Sequence, residues 1–395
     1  MKKTLMVIGA GKYQLPVIIK AKEMGLKVLA TDLNPKAQGF EYADFYKVVD
    51  VKDAETNLEI AKEFAVDGVI SIVSELSITT VAHIVEQLGL PGLQYEAAVA
   101  ATNKAIMRTK FLEAGLSSPS FFKVKTKEEA TTAALELGLP VVMKPTDNSG
   151  SRGVTKVEKL ADLEFSWGLA KENSRSGDII VEQFLEGTEM TIEALSYKKE
   201  HQILAMSSKK RIPFPYCVSI DLTYPPPFSE ETLVAVRELV ISALDAIGID
   251  VGPTHSEVII TEKGPVLLEI AARGGGFGVF SEVIPLVSGV DVVKECINLA
   301  LGYEADILPK FSKAAVLRFF NLPQGKLVAI VGLEKARAID GVHKIELDVA
   351  PGDVIKPIVS DGTRHGLIIT CGDTREMAVH RADKAETAVR FEIIV

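Results

Sequence analysis

Short apolar segments alternate with amphipathic segments along residues 1–91. The segments "LMVIGA", "KVLATD", "FYKVVD" and "GVISIV" have the composition of buried strands. The segments "NLEIAKEFA" and "TTVAHIVEQLG" carry apolar residues at three- and four-residue spacing, as amphipathic helices do. Because parallel strands need crossover helices between them, this alternation predicts a parallel α/β domain.

The turn after the first apolar segment has part of a dinucleotide-binding pattern. Gly9 and Gly11 follow the segment, and Asp32 lies about twenty residues later, where an NAD fingerprint places a ribose-binding acid. Gln14 stands where the fingerprint has a third glycine, which would let the helix pack close to the strand. The turn alone therefore favours a plain β-α-β unit over a nucleotide site.

The composition indicates a globular protein of two or three domains. The chain has 395 residues, of which 47% are hydrophobic and 25% are charged. The formal net charge of −9 argues against nucleic-acid binding, which needs a basic face. No apolar run reaches the length of a membrane span, and the N-terminus lacks the pattern of a signal peptide. The three cysteines have no metal-ligand spacing, so we expect a cytoplasmic protein with reduced thiols and no membrane partner.

The rest of the chain mixes strand and helix patterns. The strands "PVVMKP", "DIIVEQFL", "TEMTIEALSY", "THSEVIIT" and "PVLLEIAA" predict a mixed and mainly antiparallel middle block. The Pro-rich residues 209–228 are predicted to be too interrupted for a long element and to form a mobile loop. The run of Lys209, Lys210 and Arg211 could add positive charge to this loop, and a solvated basic run is the default interpretation. From about residue 311, several strands and a final helix over residues 374–389 predict a small α+β domain.

A loop rich in glycine and serine follows the strand that carries Lys144. The stretch "KPTDNSGSRGV" spans residues 144–154, and its small residues let backbone N–H groups approach an anion closely. The lysine would place a cation on the same phosphates. No Gly-Lys-Ser/Thr triplet follows, so this is not a Walker A loop, and an exposed flexible turn stays open as the alternative.

Acidic residues on the following strands suit a nucleotide and a metal ion. Glu182 ends a buried strand in "EQFL", a hinge that offers acceptors to adenine, and Glu189 on the next strand suits a ribose diol. Glu257 and Glu269 lie six residues on either side of a turn near Lys263, so strand periodicity places both on one face. Because two facing carboxylates repel, a divalent cation between them is expected, and oxygen ligands suit Mg²⁺.

The order of these lysines, glycines and acids along the chain resembles that of the ATP-grasp superfamily. Over its whole length, the chain resembles the carboxylate–amine ligases of that superfamily. The resemblance is greatest to the L-amino-acid ligase and carbamoyl-phosphate-synthase-like branch. It rests on Lys104, Lys144, residues 147–153, "EQFLEG", Glu189, Glu257, Glu269 and Arg273. It implies an ATP-grasp fold of α/β and α+β type. The implied domains are a Rossmann-like pre-ATP-grasp domain over residues 1–93, an ATP-grasp domain over 94–310 with a lid at about 118–185, and a small α+β domain over 311–395.

The resemblance also implies what each residue does. Mg²⁺, or Mn²⁺ in its place, is held by Glu257 and Glu269, and Arg273 and Lys144 are catalytic. Ala271 stands where many members carry an asparagine ligand, which leaves a second metal ion open. The residues implied to bind ATP are Lys104, Lys144, Ser149, Gly150, Ser151, Gly153, Glu182, Gln183, Phe184, Leu185 and Glu189.

The implied reaction has two steps. A carboxylate attacks the γ-phosphate of ATP to give an acylphosphate and ADP, and an amine then attacks the carbonyl and releases phosphate. Residues expected to touch these small-molecule substrates, or to stabilise the oxyanion through backbone groups of residues 274–276, are Glu75, His255, Arg273, Gly275 and Gly276. Packing or capping roles for Glu75 and His255 are equally open.

Alternative functions remain open from the sequence. One is a ligase that acts on a purine precursor or forms carbamoyl phosphate. The others are an NAD-dependent oxidoreductase, which needs the first turn as its nucleotide site, and a non-catalytic ATP-binding module. A homodimer is expected by analogy with similar folds.

Overall fold

The N-terminal block is the predicted parallel α/β unit. The computed structural model describes residues 2–394. A four-stranded parallel sheet has the strand order β3-β2-β1-β4. Its elements are β1 (Thr4–Ile8), α1 (Leu15–Glu23), β2 (Lys27–Asp32), β3 (Phe45–Val48), α2 (Ala54–Glu63), β4 (Gly68–Ile70) and α3 (Ile78–Leu88).

Strand β1 shows why this sheet is covered on both faces. Leu5 and Val7 belong to a core shared with the centre of the molecule, whereas Met6 and Ile8 belong to a second core under α2 and α3. All four side chains are fully buried. Successive strand residues point to opposite faces, so a continuous apolar run requires packing on both sides.

A second, antiparallel sheet follows, and we call it the lid sheet. Its strand order is β5-β8-β6-β7. Helix α6 begins with a capping box in which Thr126 and Glu129 satisfy each other's backbone N–H groups. The elements of this block are α4 (Tyr95–Thr102), α5 (Lys104–Glu113), β5 (Phe121–Val124), α6 (Lys127–Leu137), β6 (Val141–Pro145), β7 (Thr155–Val157), α7 (Leu163–Asn173) and β8 (Ile179–Gln183).

The central sheet has eight strands in the order β13-β12-β9-β10-β11-β14-β18-β16. Every pairing in it is antiparallel, as predicted for the middle block. The elements up to residue 300 are β9 (Thr188–Tyr197), β10 (Glu200–Arg211), β11 (Ser219–Tyr224), α8 (Glu230–Ile247), β12 (Gly252–Thr261), β13 (Gly264–Ala271), α9 (Ile284–Ser288) and α10 (Val292–Ala300).

The C-terminal strands extend this central sheet. Strands β14, β16 and β18 pair beyond β11, while β15, β17 and β19 form a separate three-stranded sheet. The domain boundary at residue 311 stays a prediction, since strands on both sides of it share one sheet. The elements are β14 (Ala314–Phe319), β15 (Gly325–Val331), α11 (Leu333–Arg337), β16 (Val342–Leu347), β17 (Val354–Ile355), β18 (Gly366–Gly372), α12 (Arg375–Ala388) and β19 (Arg390–Ile394).

The prediction that residues 209–228 form a loop was wrong. The segment supplies the end of β10 and all of β11, which lies in the middle of the central sheet. Its prolines lie in the turn and after β11, and the stretch "SIDLTY" between them contains none. A proline-free run can donate every ladder hydrogen bond, so the strand forms despite the Pro-rich flanks.

Among the described residues, no helix is long and apolar enough to cross a membrane.

Candidate active site

A cavity of about 570 Å³ is lined by residues of the lid sheet and the central sheet. A volume of this size fits a drug-sized ligand. All predicted site residues except Gly153 and Gly275 line it. These lining residues are Glu75, Lys104, Lys144, Ser149, Gly150, Ser151, Glu182, Gln183, Phe184, Leu185, Glu189, His255, Glu257, Glu269, Arg273 and Gly276.

Strands β6 and β8 bring Lys144 beside Glu182. The Lys144 Nζ lies 2.6 Å from one carboxylate oxygen, and Arg108 Nε donates to the other at 2.8 Å. Burial raises the pKa of Glu182, but the two cations outweigh burial and hold the pKa below its usual value. Both carboxylate oxygens are already paired with cations. The predicted role of adenine acceptor is therefore left to the backbone carbonyls of residues 183–185. Arg108 on α5 was not predicted, because a charged helix residue is usually solvated.

The glycine-rich loop after β6 is tied to α5 and α7. Lys104 Nζ donates to the Asn148 carbonyl at 2.8 Å, and the Asn148 amide donates to the Asn173 carbonyl at 2.7 Å. Gly150 has a φ of +67°, in the left-handed region that glycine adopts without strain. A Cβ at Gly153 would lie 2.9 Å from that of Asn173. Gly153 therefore permits close packing on α7 and does not face the cavity.

The two predicted metal ligands lie directly opposite each other in the β12–β13 pair. Glu257 is the register partner of Glu269, as the spacing predicted. Glu269 Oε1 accepts a hydrogen bond from Lys104 Nζ at 2.9 Å, and Lys209 Nζ donates to Glu257. Burial raises the pKa of Glu257, but Lys209 and His255 hold it well below its usual value. Both carboxylates are thus ion-paired, and Glu257 is ionised.

This donor set fits a hard divalent cation that takes the rest of its ligands from elsewhere. Two carboxylates are oxygen ligands, and Mg²⁺ is usually bound by one or two carboxylates together with water and substrate phosphates. Within residues 2–394, no group of three or more His, Cys, Asp or Glu side chains is arranged to hold a metal ion. The next register pair on the same face, His255 and Ala271, adds an imidazole and a methyl group.

Two cations on β10 complete the cavity wall. Lys209 Nζ donates to Glu189 at 2.6 Å, and Arg211 donates to the other oxygen of the same carboxylate. Lys210 between them is exposed. The run "KKR" was weighed as a solvated run, yet strand periodicity directs its first and third residues inward. This alternation of inward and outward side chains would have indicated Lys209 and Arg211, but only if the segment had been predicted to be a strand.

His255 lies between two carboxylates. Its Nδ1 contacts Glu193 Oε1, and its Nε2 lies 3.8 Å from Glu257 Oε1. Burial lowers the pKa of His255, but Glu193 and Glu257 raise it to about 9. Glu193 also accepts from the Gly275 N–H at 3.2 Å. The Gly275 amide is therefore already bonded, and this residue packs behind the site.

Arg273 forms an ion pair with Glu75 at the end of the cavity that faces the N-terminal block. The Arg273 guanidinium lies 3.4 Å from the Glu75 carboxylate and donates to the Gly274 carbonyl at 2.9 Å. The Gly274 N–H donates to the Ile72 carbonyl at 2.9 Å. Of the three glycines expected to bind an oxyanion through backbone groups, Gly274 and Gly275 thus have occupied amides, whereas Gly276 lines the cavity.

The first turn of the chain is closed by its own side chains. The Asp32 carboxylate accepts from the Ala10 N–H at 2.8 Å, where the NAD pattern would place a ribose. The buried Gln14 side chain accepts from the Ile72 N–H at 3.0 Å and donates to Ser71 at 3.0 Å. Gln14 therefore fastens β4 to the turn, and the missing third glycine has a structural explanation.

Two protein families match separate parts of the chain. The ATP-grasp domain family matches residues 137–280, and the family described as L-amino acid ligase C-terminal domain 2 matches residues 318–393. The uncharacterized protein y4rH of Sinorhizobium fredii is 30% identical over 342 residues, which cover 85% of this chain and 70% of that protein.

Two further proteins are L-amino acid ligases by name. The L-arginine-specific L-amino acid ligase of Bacillus subtilis is 26% identical over 306 residues, covering 75% of this chain and 73% of that protein. The crystal structure of the L-amino acid ligase from Bacillus licheniformis superposes with a TM-score of 0.85 at 23% identity, covering 100% of this chain and 99% of that one. The chain therefore belongs to the ATP-grasp family of carboxylate–amine ligases.

Proposed function

We propose that the enzyme joins the carboxylate of one amino acid to the amine of another, with ATP and Mg²⁺. The observation that carries this proposal is the end of the cavity, where Arg273 and Glu75 lie 3.4 Å apart. A guanidinium and a carboxylate side by side match the carboxylate and ammonium groups of an amino acid. The match of residues 318–393 to an L-amino acid ligase domain supports the same substrate class.

ATP would bind with its phosphates between the glycine-rich loop and the lysines. Lys104 and Lys144 flank the loop, and Lys209 faces it from the central sheet. Each ammonium group is paired with a glutamate, so phosphate binding exchanges one anionic partner for another. When bound to Glu257 and Glu269, Mg²⁺ would neutralise phosphate charge during transfer. The ion pairs hold the lysines in position before the nucleotide arrives.

The two steps need no side-chain nucleophile. A substrate carboxylate oxygen attacks the γ-phosphorus, and the bond to the β-phosphate oxygen breaks. The substrate amine then attacks the acyl carbon, phosphate leaves, and the amine loses a proton. Arg273 would bind a carboxylate or the developing oxyanion, because its planar guanidinium suits either group. Water must be excluded between the steps, since acylphosphates hydrolyse.

A screen of amino-acid pairs tests this proposal. Phosphate release and product mass are measured with ATP, Mg²⁺ and each pair, and the expected result is amide formation with a subset of pairs. Release that requires a phosphoribosylamine or bicarbonate, with none from any amino-acid pair, would favour the purine-precursor or carbamoyl-phosphate alternative.

The nucleotide is a separate prediction. We expect ATP to bind with Mg²⁺ and NAD not to bind, because Asp32 and Gln14 already occupy the groups of the first turn. Calorimetric titration of one preparation with each nucleotide measures this. Tight NAD binding without ATP binding would contradict the assignment of the cavity as the nucleotide site.

A loop of the C-terminal block holds the glycine-rich loop, and this contact is testable. The Asp361 N–H donates to the Gly150 carbonyl at 3.2 Å. Ser360 precedes it with φ −156° and ψ 169°, and Asp361 is the first residue of a one-turn 3₁₀ helix. Proline is accepted at a first helical position after an extended residue, so Asp361→Pro removes this donor without a backbone clash.

We expect Asp361→Pro to raise the amount of phosphate released per amide formed several-fold, because a less anchored loop admits water to the acylphosphate. The matched control is Asp361→Ala, which keeps the N–H and loses the ion pair to Arg364 at 2.8 Å. Equal ratios in the two variants would show that the amide does not hold the loop.

A further inference from the structure

Two aromatic rings line the same cavity as Arg273 and Glu75. They belong to Tyr13 and Phe277, and we call them the aromatic wall. The ring centroids lie 5.5 Å apart in an edge-to-face arrangement. Phe319 packs against Phe277 with ring centroids 5.4 Å apart, and the Arg364 guanidinium lies 4.9 Å from the Phe277 ring centroid and 3.8 Å from that of Phe319. These neighbours fix the wall, and its rings supply apolar surface to the cavity.

The backbone of Phe277 is held in a conformation that bulky residues avoid. Its φ is +56°, in the left-handed region, and Gly278 follows at +86°. Such strain persists where the surrounding structure imposes it, and it is concentrated at ligand-binding and catalytic sites. Phe277 directly follows the three glycines after Arg273, and this backbone conformation turns its ring toward Tyr13.

Two polar groups of the turn that carries Tyr13 are already paired. Lys12 is paired with Glu346 and, at 3.4 Å, with Asp348. The Ala10 N–H donates to Asp32. Burial raises the pKa of the Tyr13 phenol, so this side chain is neutral near pH 7. What the turn presents to the cavity is a neutral aromatic ring that is 38% exposed.

The charged pair and the aromatic wall are linked through residues 273–277. A Cβ on Gly276 would lie 3.8 Å from Val73, two residues before Glu75. The groups suited to the carboxylate and ammonium of an amino acid, and the apolar surface suited to its side chain, are thus joined by one short segment of the cavity wall.

We propose that the aromatic wall is the side-chain pocket for one of the two amino acids, and that it selects an apolar or aromatic side chain. This inference rests on the proposed function. Arg273 and Glu75 hold the substrate's backbone charges, and its side chain packs on the Tyr13 ring. An acidic or strongly polar side chain would lose hydration against the two rings, and the cations beside them, Lys12 and Arg364, are already paired with Glu346 and Asp361.

The test is substrate preference in Tyr13→Ala and Tyr13→Phe. Phenylalanine, leucine, glycine and aspartate are each offered with one fixed partner, and amide formation is measured as kcat/KM. The wild type should favour phenylalanine over glycine by about tenfold or more, the scale that small changes of apolar contact produce in a hydrophobic pocket. Tyr13→Ala should remove most of that preference while KM for ATP stays unchanged. Tyr13→Phe should retain it, and the exposed Tyr42→Ala serves as the control.

Two results overturn the inference and leave the proposed function standing. One is a wild type that forms amides from glycine or aspartate as well as from phenylalanine. The other is a Tyr13→Ala variant that loses the same factor with every substrate. A wild type that forms no amide from any amino-acid pair overturns the proposed function, and the inference fails with it.

Discussion

Glu269→Gln is expected to lower turnover at least about a hundredfold, the scale seen when charge in a transition state loses its partner. The carboxylate lies opposite Glu257 and accepts from Lys104 at 2.9 Å. The amide of glutamine keeps nearly the same shape but is neutral. It is a weaker ligand for Mg²⁺, and it no longer neutralises the buried lysine. Burial lowers the pKa of Lys104, but Glu269 and Glu75 raise it above the usual value, so removing one of them disfavours the charged lysine.

The measurement is phosphate release under saturating ATP and substrates, with the melting temperature taken on the same preparation. Glu257→Gln should behave in the same way, because the two acids face each other across one strand pair. Glu262→Gln is the control, since this exposed residue lies on the turn of the same hairpin. Two folded variants that keep wild-type phosphate release would place the metal ion elsewhere in the cavity.

The facing acids were predictable because they depend only on local geometry. A turn of known position and a side-chain period of two fix which residues of a hairpin lie opposite each other. Lys144 and the glycine-rich loop were predictable for a similar reason, since a strand and the loop after it are contiguous in sequence. The parallel N-terminal sheet follows from the alternation of apolar and amphipathic segments.

The missed residues reach the site through long-range packing. Arg108 meets Glu182 from a helix, and Asp361 meets Gly150 across more than half of the chain. No local pattern links such pairs. Lys209 and Arg211 were undervalued for another reason, because nearby prolines hid a proline-free strand. The C-terminal strands also join the central sheet, and register between distant strands is set by tertiary packing that the periodicity of one segment does not show.

Arg273→Lys is expected to lower amide formation about hundredfold, which is the effect of removing one donor to a developing oxyanion. Lysine keeps the positive charge but loses the planar fork that matches a carboxylate or an oxyanion, so it should not rescue activity. ATP affinity should change little, because the lysines and the glycine-rich loop that would hold the phosphates lie on other elements. Amide formation and ATP binding are measured on one preparation, with the exposed Arg337→Lys as the control.

The structure supplies a rival explanation for the same arginine. Arg273 pairs with Glu75 and bonds the Gly274 carbonyl, so it could act only by ordering the end of β13. That explanation predicts a lower melting temperature for Arg273→Lys with little kinetic change. Glu75→Gln separates the two roles further, because it breaks the ion pair and leaves the guanidinium in place. If Arg273 acts on substrate, Glu75→Gln should raise the KM for the amino acid while kcat falls less than in Arg273→Lys. A destabilised Arg273→Lys variant with an unaltered rate would remove this arginine from the mechanism and leave Lys209 and the Gly276 backbone as the remaining candidates for the oxyanion.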